Sequence, residues 1–255
     1  MLFDRLAAVS VGKGGSIGTK ITGLRIAFRV VKTETSEPND IVLRIDNLSA
    51  STRTAFETAG NRVVVEAGYS SAGMAILAVG DIVRGSTEYR HPEVRTEVDA
   101  RDGGERIRNA RASVTFEAGT SARSMVEQLV KMLDVERMDV SADLSGSFRS
   151  AFTGYGNVRD ILDKLAARFG FAWSIQNNTA QITPARTPSQ RTAILLTPQS
   201  GLIGVPTKLD QTGGDQDAAK EPPGVSARCL LNPALLPGDP VIIGSRDFPQ
   251  ATYRI

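Results

Sequence analysis

The thirteen residues from Val11 to Gly23, VGKGGSIGTKITG, hold five glycines, two lysines, one serine and two threonines. That composition suits phosphate binding, in which backbone N–H groups, a lysine and a helix N-terminus converge on the phosphate oxygens. The order does not suit it. Here the sequence runs Gly18-Thr19-Lys20, with the lysine after the threonine, and a strand-like alternation starting at Ile21 follows where a helix is needed. The stretch therefore reads as a glycine-rich loop or hairpin connection, with residues 1–20 forming a mobile N-terminal arm that orders against a neighbour.

A second candidate is the twelve-residue segment Asp210 to Glu221, which begins and ends on carboxylates and contains Asp215 and Asp217. A calcium loop needs glycine at its sixth position for the sharp turn, and flanking helices. Asp215 stands at that position, Gly213 and Gly214 precede it, and no helical pattern flanks the segment. It reads as a solvated acidic loop spanning about 208–223.

The 28 carboxylates supply many conceivable acid–base pairs, but no local spacing singles one out. Glu34, Glu37, Asp99 and Glu105 lie in polar, turn-like stretches and read as surface groups. Phe171 and Trp173 have the surface to stack on a sugar, yet their place between a helix and a hairpin makes them core residues. His91 is the sole histidine and Cys229 the sole cysteine, so neither has a like partner for a metal site. Cys229, in the apolar run ARCLLNP, reads as a buried, inert thiol. The sequence thus assigns no catalytic, cofactor-binding or metal-ligating residue, and implies no cofactor.

Composition is that of an ordinary globular protein. With 41% apolar and 23% charged residues in 255, the chain can bury a core of ordinary size without disulfide staples. Thirty basic residues balance 28 acidic ones and are interleaved with them, so there is no basic stripe of the kind nucleic acid requires. The N-terminus lacks the apolar run of a secretory signal, and the longest apolar stretch, around Met74 to Val79, is far short of the roughly 20 residues that span a bilayer.

The elements follow from periodicity. Leu24, Ile26, Phe28 and Val30 alternate with polar or small residues along Ile21 to Val31, and Ile41, Leu43 and Ile45 repeat the pattern after a SEPND turn. Ser49 is placed to cap a short helix carrying Ala55 and Phe56 and stopped by Gly60. Short β-rich runs then recur up to RASVTFEAG, as in an antiparallel barrel or sandwich with the single helix at its end or edge. Helical spacing takes over near residue 120. Thr120 or Ser121 caps a helix with Met125, Val126, Leu129, Val130 and Leu133 on one face. Asn157 caps a second, with Val158, Ile161, Leu162, Leu165 and Phe169 inward and Gly170 at its end; a hairpin turning at Asn177-Asn178 follows. Beyond residue 187 the apolar runs are cut by Pro and Gly and read as further strands.

Several segments, in order, resemble one family. LRIAFRVVKTETSEPNDIVLRIDNLSASTRTAF, a VEAGY run and AILAVGDI are similar to the N-terminal barrel of the hub proteins at the centre of tailed-phage baseplates, with Pro38-Asn39, Asn47-Leu48-Ser49, Thr52-Arg53 and Ala67-Gly68-Tyr69 at matching places. The GSFRSAF segment between two helices, RFGFAWSIQNN and its hairpin resemble that family's inserted α/β domain. LLTPQSGLIGVPTKL, the acidic loop and GVSARCLLNPALLPGDPVIIGS look like the passage into its second barrel.

The resemblance implies an α+β, mainly β fold: two tube-type antiparallel β-barrels (21–119 and, with return strands, 187–255) and an inserted α/β domain (120–186). It implies a non-enzymatic homotrimer that adapts a six-fold tail tube or distal tail protein to a three-fold spike or tip protein, around a lumen through which DNA passes. The fold would be shared with the valine-glycine-rich spike protein of type VI secretion. The place would be the virion tail baseplate, reached after assembly in the host cytoplasm. Many relatives continue past the second barrel, whereas this sequence stops at ATYRI. The competing reading is a tail-tip enzyme or carbohydrate-binding protein acting on the host cell wall.

Overall fold

The computed structural model describes residues 4–13, 18–209 and 224–255, which form mainly β structure in antiparallel sheets with a few short helices. Three hydrophobic clusters organise them.

The first cluster lies on one face of a seven-stranded sheet. Its strands are β1 (Arg5–Gly12), β2 (Thr19–Ile21), β3 (Ile26–Val31), β4 (Asn39–Asp46), β5 (Arg62–Tyr69), β6 (Gly73–Arg90) and β7 (Glu93–Asp102), in the order β2-β1-β5-β6-β7-β4-β3. Period-two alternation sends Ile41, Leu43 and Ile45 of β4 inward, each at most 1% exposed, beside Val63 and Val65 of β5 and Val98 and Ala100 of β7. Helix α1 (Ala50–Glu57) covers this face with fully buried Phe56, and the Ser49 side chain accepts the Thr52 N–H as its N-cap.

Several expectations change here. Residues 5–12 are no arm: β1 pairs along its whole length with β5 and adds Val9 and Val11 to the core. The apolar run LAAVSV of that strand was masked by the glycines that follow it. The strand expected from Ile21 breaks at Gly23, which sits at φ 74, so Leu24 is exposed and β3 begins at Ile26. Short β-rich runs were expected here, yet β6 runs through Gly80 and Gly85 for 18 residues. A Cβ at Gly85 would lie 2.1 Å from the Phe56 carbonyl oxygen, and one at Gly80 would lie 2.8 Å from the Ile41 side chain. These glycines mark close approaches to β6, not turns in it.

The second cluster is built on α3 (Ala122–Lys131) and α4 (Val158–Phe169), as their spacing predicts. Ser121 caps α3 and Asn157 caps α4, while Gly170 closes α4 in the left-handed conformation at φ 73. The hairpin of β11 (Phe171–Gln176) and β12 (Thr179–Pro184) turns at Asn177 and Asn178, at φ 54 and 63. Strand β9 (Arg137–Val140) adds in parallel to β12. Strand β8 (Arg111–Phe116) was expected among the barrel strands, but it pairs with β10 (Phe152–Asn157) and buries Val114 and Phe116 in this second cluster. Phe148 stacks on Phe152 with centroids 4.9 Å apart, which explains the GSFRSAF segment. Between β7 and β8 lies a further short helix, α2 (Gly104–Asn109), which sequence reasoning missed.

The third cluster is small, with Leu196, Leu202, Val241 and Ile243 buried. Strands β13 (Ile194–Leu196), β16 (Pro240–Ser245) and β17 (Phe248–Arg254) form one sheet, and β14 (Leu202–Lys208) with β15 (Val225–Cys229) form a ribbon. Neither this region nor the first sheet closes into a barrel among the described residues: β2 and β3 remain the two edges of the seven-stranded sheet, and no ladder joins β13 to β14 or β15. The proposed acidic loop and calcium-like segment, Asp210 to Glu221, lie outside the described residues.

Candidate functional site

Most of the buried polar groups among the described residues meet where the three clusters touch. The β3–β4 loop reaches from the seven-stranded sheet to the β11–β12 hairpin. Within the loop the Asn39 carbonyl oxygen Oδ1 accepts the Thr33 N–H at 2.9 Å. Its amide nitrogen donates to the Ile175 backbone oxygen and to Gln176 Oε1, both at 2.9 Å. Gln176 returns a bond to the Thr33 carbonyl at 2.8 Å. Farther along, Ser36 donates to Asp163, and Glu37 pairs with Arg159, tying the same loop to α4.

At the end of β7, the Asp102 carboxylate is 3% exposed and accepts the N–H groups of Asn177 and Asn178, one on each oxygen. Lys32 Nζ donates to Asn177 Oδ1 at 3.1 Å from the other side of the turn. Burial pushes the Asp102 carboxyl up to about 7, against the pull of the two amides and Lys32, and burial lowers the Lys32 amine to about 8. Gly103 follows in the left-handed region at φ 69, and a Cβ there would lie 2.8 Å from Ile175, so the sheet and the hairpin pack without a spare methyl's width.

The third region joins through Arg254, near the end of β17. Its guanidinium donates to the carbonyl oxygens of Ala185 at 3.0 Å and Pro184 at 2.8 Å and pairs with Glu34 of the β3–β4 loop. Glu34 also accepts the Thr183 hydroxyl, and burial raises its carboxyl above the ordinary range. Nearby, Arg191 bridges Asp239 and Asp139, and Ser189 donates to Asp239 at 2.7 Å.

This arrangement positions elements relative to one another. Asp102 accepts from backbone amides, Glu34 from Arg254 and the Thr183 hydroxyl, and Asp239 from Arg191 and the Ser189 hydroxyl, so each carboxylate ties one element to another. Among the described residues no group of three or more His, Cys, Asp or Glu side chains is gathered as metal ligands. A groove of about 430 Å³ runs beside the joint, its walls carrying Arg101, Arg108 and Arg159 together with Glu37, Asp81 and Asp160.

The residues weighed for chemistry scatter. Lys20 lies in β2 and pairs with Glu66 at 2.6 Å, and β1 and β2 form a hairpin through the glycine-rich stretch, whose residues 14–17 lie outside the described ones. Trp173 and Phe171 are buried, and Trp173 Nε1 donates to Asp163 at 2.8 Å, so neither presents a face to a sugar. Asp99 is half-buried and paired with Arg84. Glu34 corrects its surface reading, since it is part of the joint; Glu105 lies outside the described side chains. Cys229 is half-buried on the small third cluster, and burial pushes its thiol up. Asp102, Lys32 and Arg254 were not singled out by sequence, because nothing local distinguishes a charge that meets a distant turn. The Asn177-Asn178 dipeptide was the available signal.

No described helix is long and apolar enough to cross a membrane. No family model matches the sequence, nor does any curated protein. Likeness appears at the level of three-dimensional structure. The tail protein from Neisseria meningitidis MC58 aligns with a TM-score of 0.66 at 10% identity, over 99% of this chain and 90% of that one. The 43 kDa tail protein of prophage MuSo2 from Shewanella oneidensis aligns with a TM-score of 0.57 at 12% identity, over 80% of this chain and 61% of that one. A chain of the Francisella PdpA–VgrG complex gives 0.51 at 5% identity, over 97% of this chain and 45% of that one. This chain therefore spans about three fifths of the Shewanella protein and under half of the Francisella chain. At these identities the likeness is one of fold, and the fold is the one these tail proteins have.

Proposed function

We propose that this protein is a structural hub of a phage-type tail: a homotrimer that adapts the six-fold tail tube or distal tail protein to a three-fold spike or tip protein and surrounds the DNA channel. The observation that carries the reading is the likeness to the Neisseria tail protein over nearly the whole of both chains. The likeness to a chain of the PdpA–VgrG complex supports the relation to spike proteins of secretion systems.

Geometry supports the assembly as well. The seven-stranded sheet curls far enough that strands from both of its edges reach one core, with Ile21 buried there and Ile26, Phe28 and Val30 packed against it. The third region exposes Leu195, Ile203, Val205 and Leu209 around a core too small to hold them. Unpaired strands and exposed apolar rows of this kind are stabilised when neighbouring copies pair with them and cover them, and two barrels per subunit would be completed in that way. On this reading the protein acts by shape, without cofactor or reaction, in the baseplate of the virion, after assembly in the host cytoplasm.

Native mass spectrometry of the purified chain tests this. A species of three times the 27.2 kDa chain mass, alone or with its spike, is the expected result. A protein that stays monomeric at high concentration, even with its spike present, would overturn the proposal.

A further inference from the structure

Asp102 closes the contact between the seven-stranded sheet and the α/β region in an unusual way, because a carboxylate 3% exposed is held by two turn amides instead of a matched cation. The charged groups around it are few. Lys32 approaches from the β3–β4 loop but bonds to Asn177 Oδ1. From β6 comes Asp81, which pairs with Arg62 of β5 at 3.1 Å; Arg62 in turn reaches Glu136, ahead of β9, at 3.8 Å. On β7 itself, neighbouring Arg101 points outward to Asp40 of β4. The side chain opposite Asp102 across the β4–β7 ladder is the neutral amide of Asn39.

We propose that the contact of Asp102 with the Asn177–Asn178 turn is a proton-dependent latch, which holds the β11–β12 hairpin to the sheet firmly when the carboxyl is neutral and loosens when it is ionised. A buried ionised carboxylate gives up its hydration, and two amide bonds return only part of it. Protonation forfeits one of those bonds but removes the larger cost. Opening the contact admits water and restores the ordinary acidity of the group. The folded carboxyl, raised to about 7 by burial, supports the same direction.

The sign follows from linkage. The closed contact binds the proton more tightly than the open one, so opening becomes easier as pH rises from the ordinary carboxylate range to about 7 and levels off above it. Between pH 6 and pH 8 the opening constant should rise roughly tenfold.

Hydrogen–deuterium exchange of the full-length chain reads this directly. After correction for intrinsic rates, amides of residues 174–181 should be about tenfold less protected at pH 8 than at pH 6. Those of β4 should hardly change, and in Asp102→Asn the dependence should vanish. Equal protection of residues 174–181 at both pH values, or the same pH trend in Asp102→Asn, would overturn the latch. If that variant fails to fold, the carboxyl carbon of Asp102 can be titrated by NMR in the unmodified protein. A midpoint near 7 supports the proposal, and one near 4 refutes it.

Discussion

Two buried aspartates show how neighbouring groups set opposite responses to acid. Asp46, at the end of β4, is held below the usual carboxylate range chiefly by its bond from Arg95 at 2.8 Å, whereas burial lifts Asp102 above that range. The stability that Asp46 contributes is present above the unfolded value of 3.8 and is lost as pH falls through its lower folded value. Arg95→Met should therefore lower the urea midpoint at pH 7, and the gap to the parent should narrow as pH falls below 3.8 and through the lowered folded value of Asp46; chemical denaturation over a series of acid pH values checks this. Asp102 behaves in the reverse sense, its contribution being complete below 3.8 and lost as pH rises through about 7. A second residue-scale prediction concerns Gly85. With 2.1 Å between a new Cβ and the Phe56 carbonyl oxygen, Gly85→Ala must displace α1 or β6, and thermal melts should show a loss of about 1–3 kcal/mol.

At the scale of elements, α1, α3 and α4 were legible in the sequence, whereas α2 and much of the β pairing were not. The apolar stripes of α3 and α4, Ser121 and Asn157 as caps and Gly170 as a stop are local signals, and the structure matches them. Pairing is not local: RASVTF alternates equally well for either sheet, and its partner FTGYGN lies some 40 residues on, where Gly154 makes room for Ile161 of α4. The joint was hidden for the same reason, since Lys32 and Asn177 are 145 positions apart. Asn157 shows how one cap serves two elements. Its Oδ1 accepts the Arg159 N–H, and its amide nitrogen donates to the Arg108 carbonyl at the end of α2, both at 2.9 Å. Asn157→Ala should cost about 1–2 kcal/mol, and Asn157→Asp, which keeps the acceptor but not the donor, should recover part of it in equilibrium unfolding.

At the scale of the whole molecule, three clusters of unequal size are held by a few polar contacts. The third, with four buried apolar residues, is too small to be independently stable and leans on Arg254, through Glu34, Ala185 and Pro184, and on the Tyr69 hydroxyl, which accepts the Leu231 N–H at 3.0 Å. Arg254→Ala should uncouple it. Calorimetry should then resolve a separate low-temperature transition for residues 187–255, and the two larger clusters should melt as before; a single transition shifted as a whole would mean that the regions remain coupled by other contacts.

Strand β6 has a mechanical consequence. At about 3.3 Å per residue its 18 residues trace a path of about 60 Å, several times the reach of an ordinary strand. Its first half is bonded to β5 and its second half to β7. A pull along β6 at the β6–β7 turn would load the rungs of both ladders side by side, so that many bonds must yield together, where a pull across the sheet would open them one at a time. The strand is thus a tie rod, strongest along its own length.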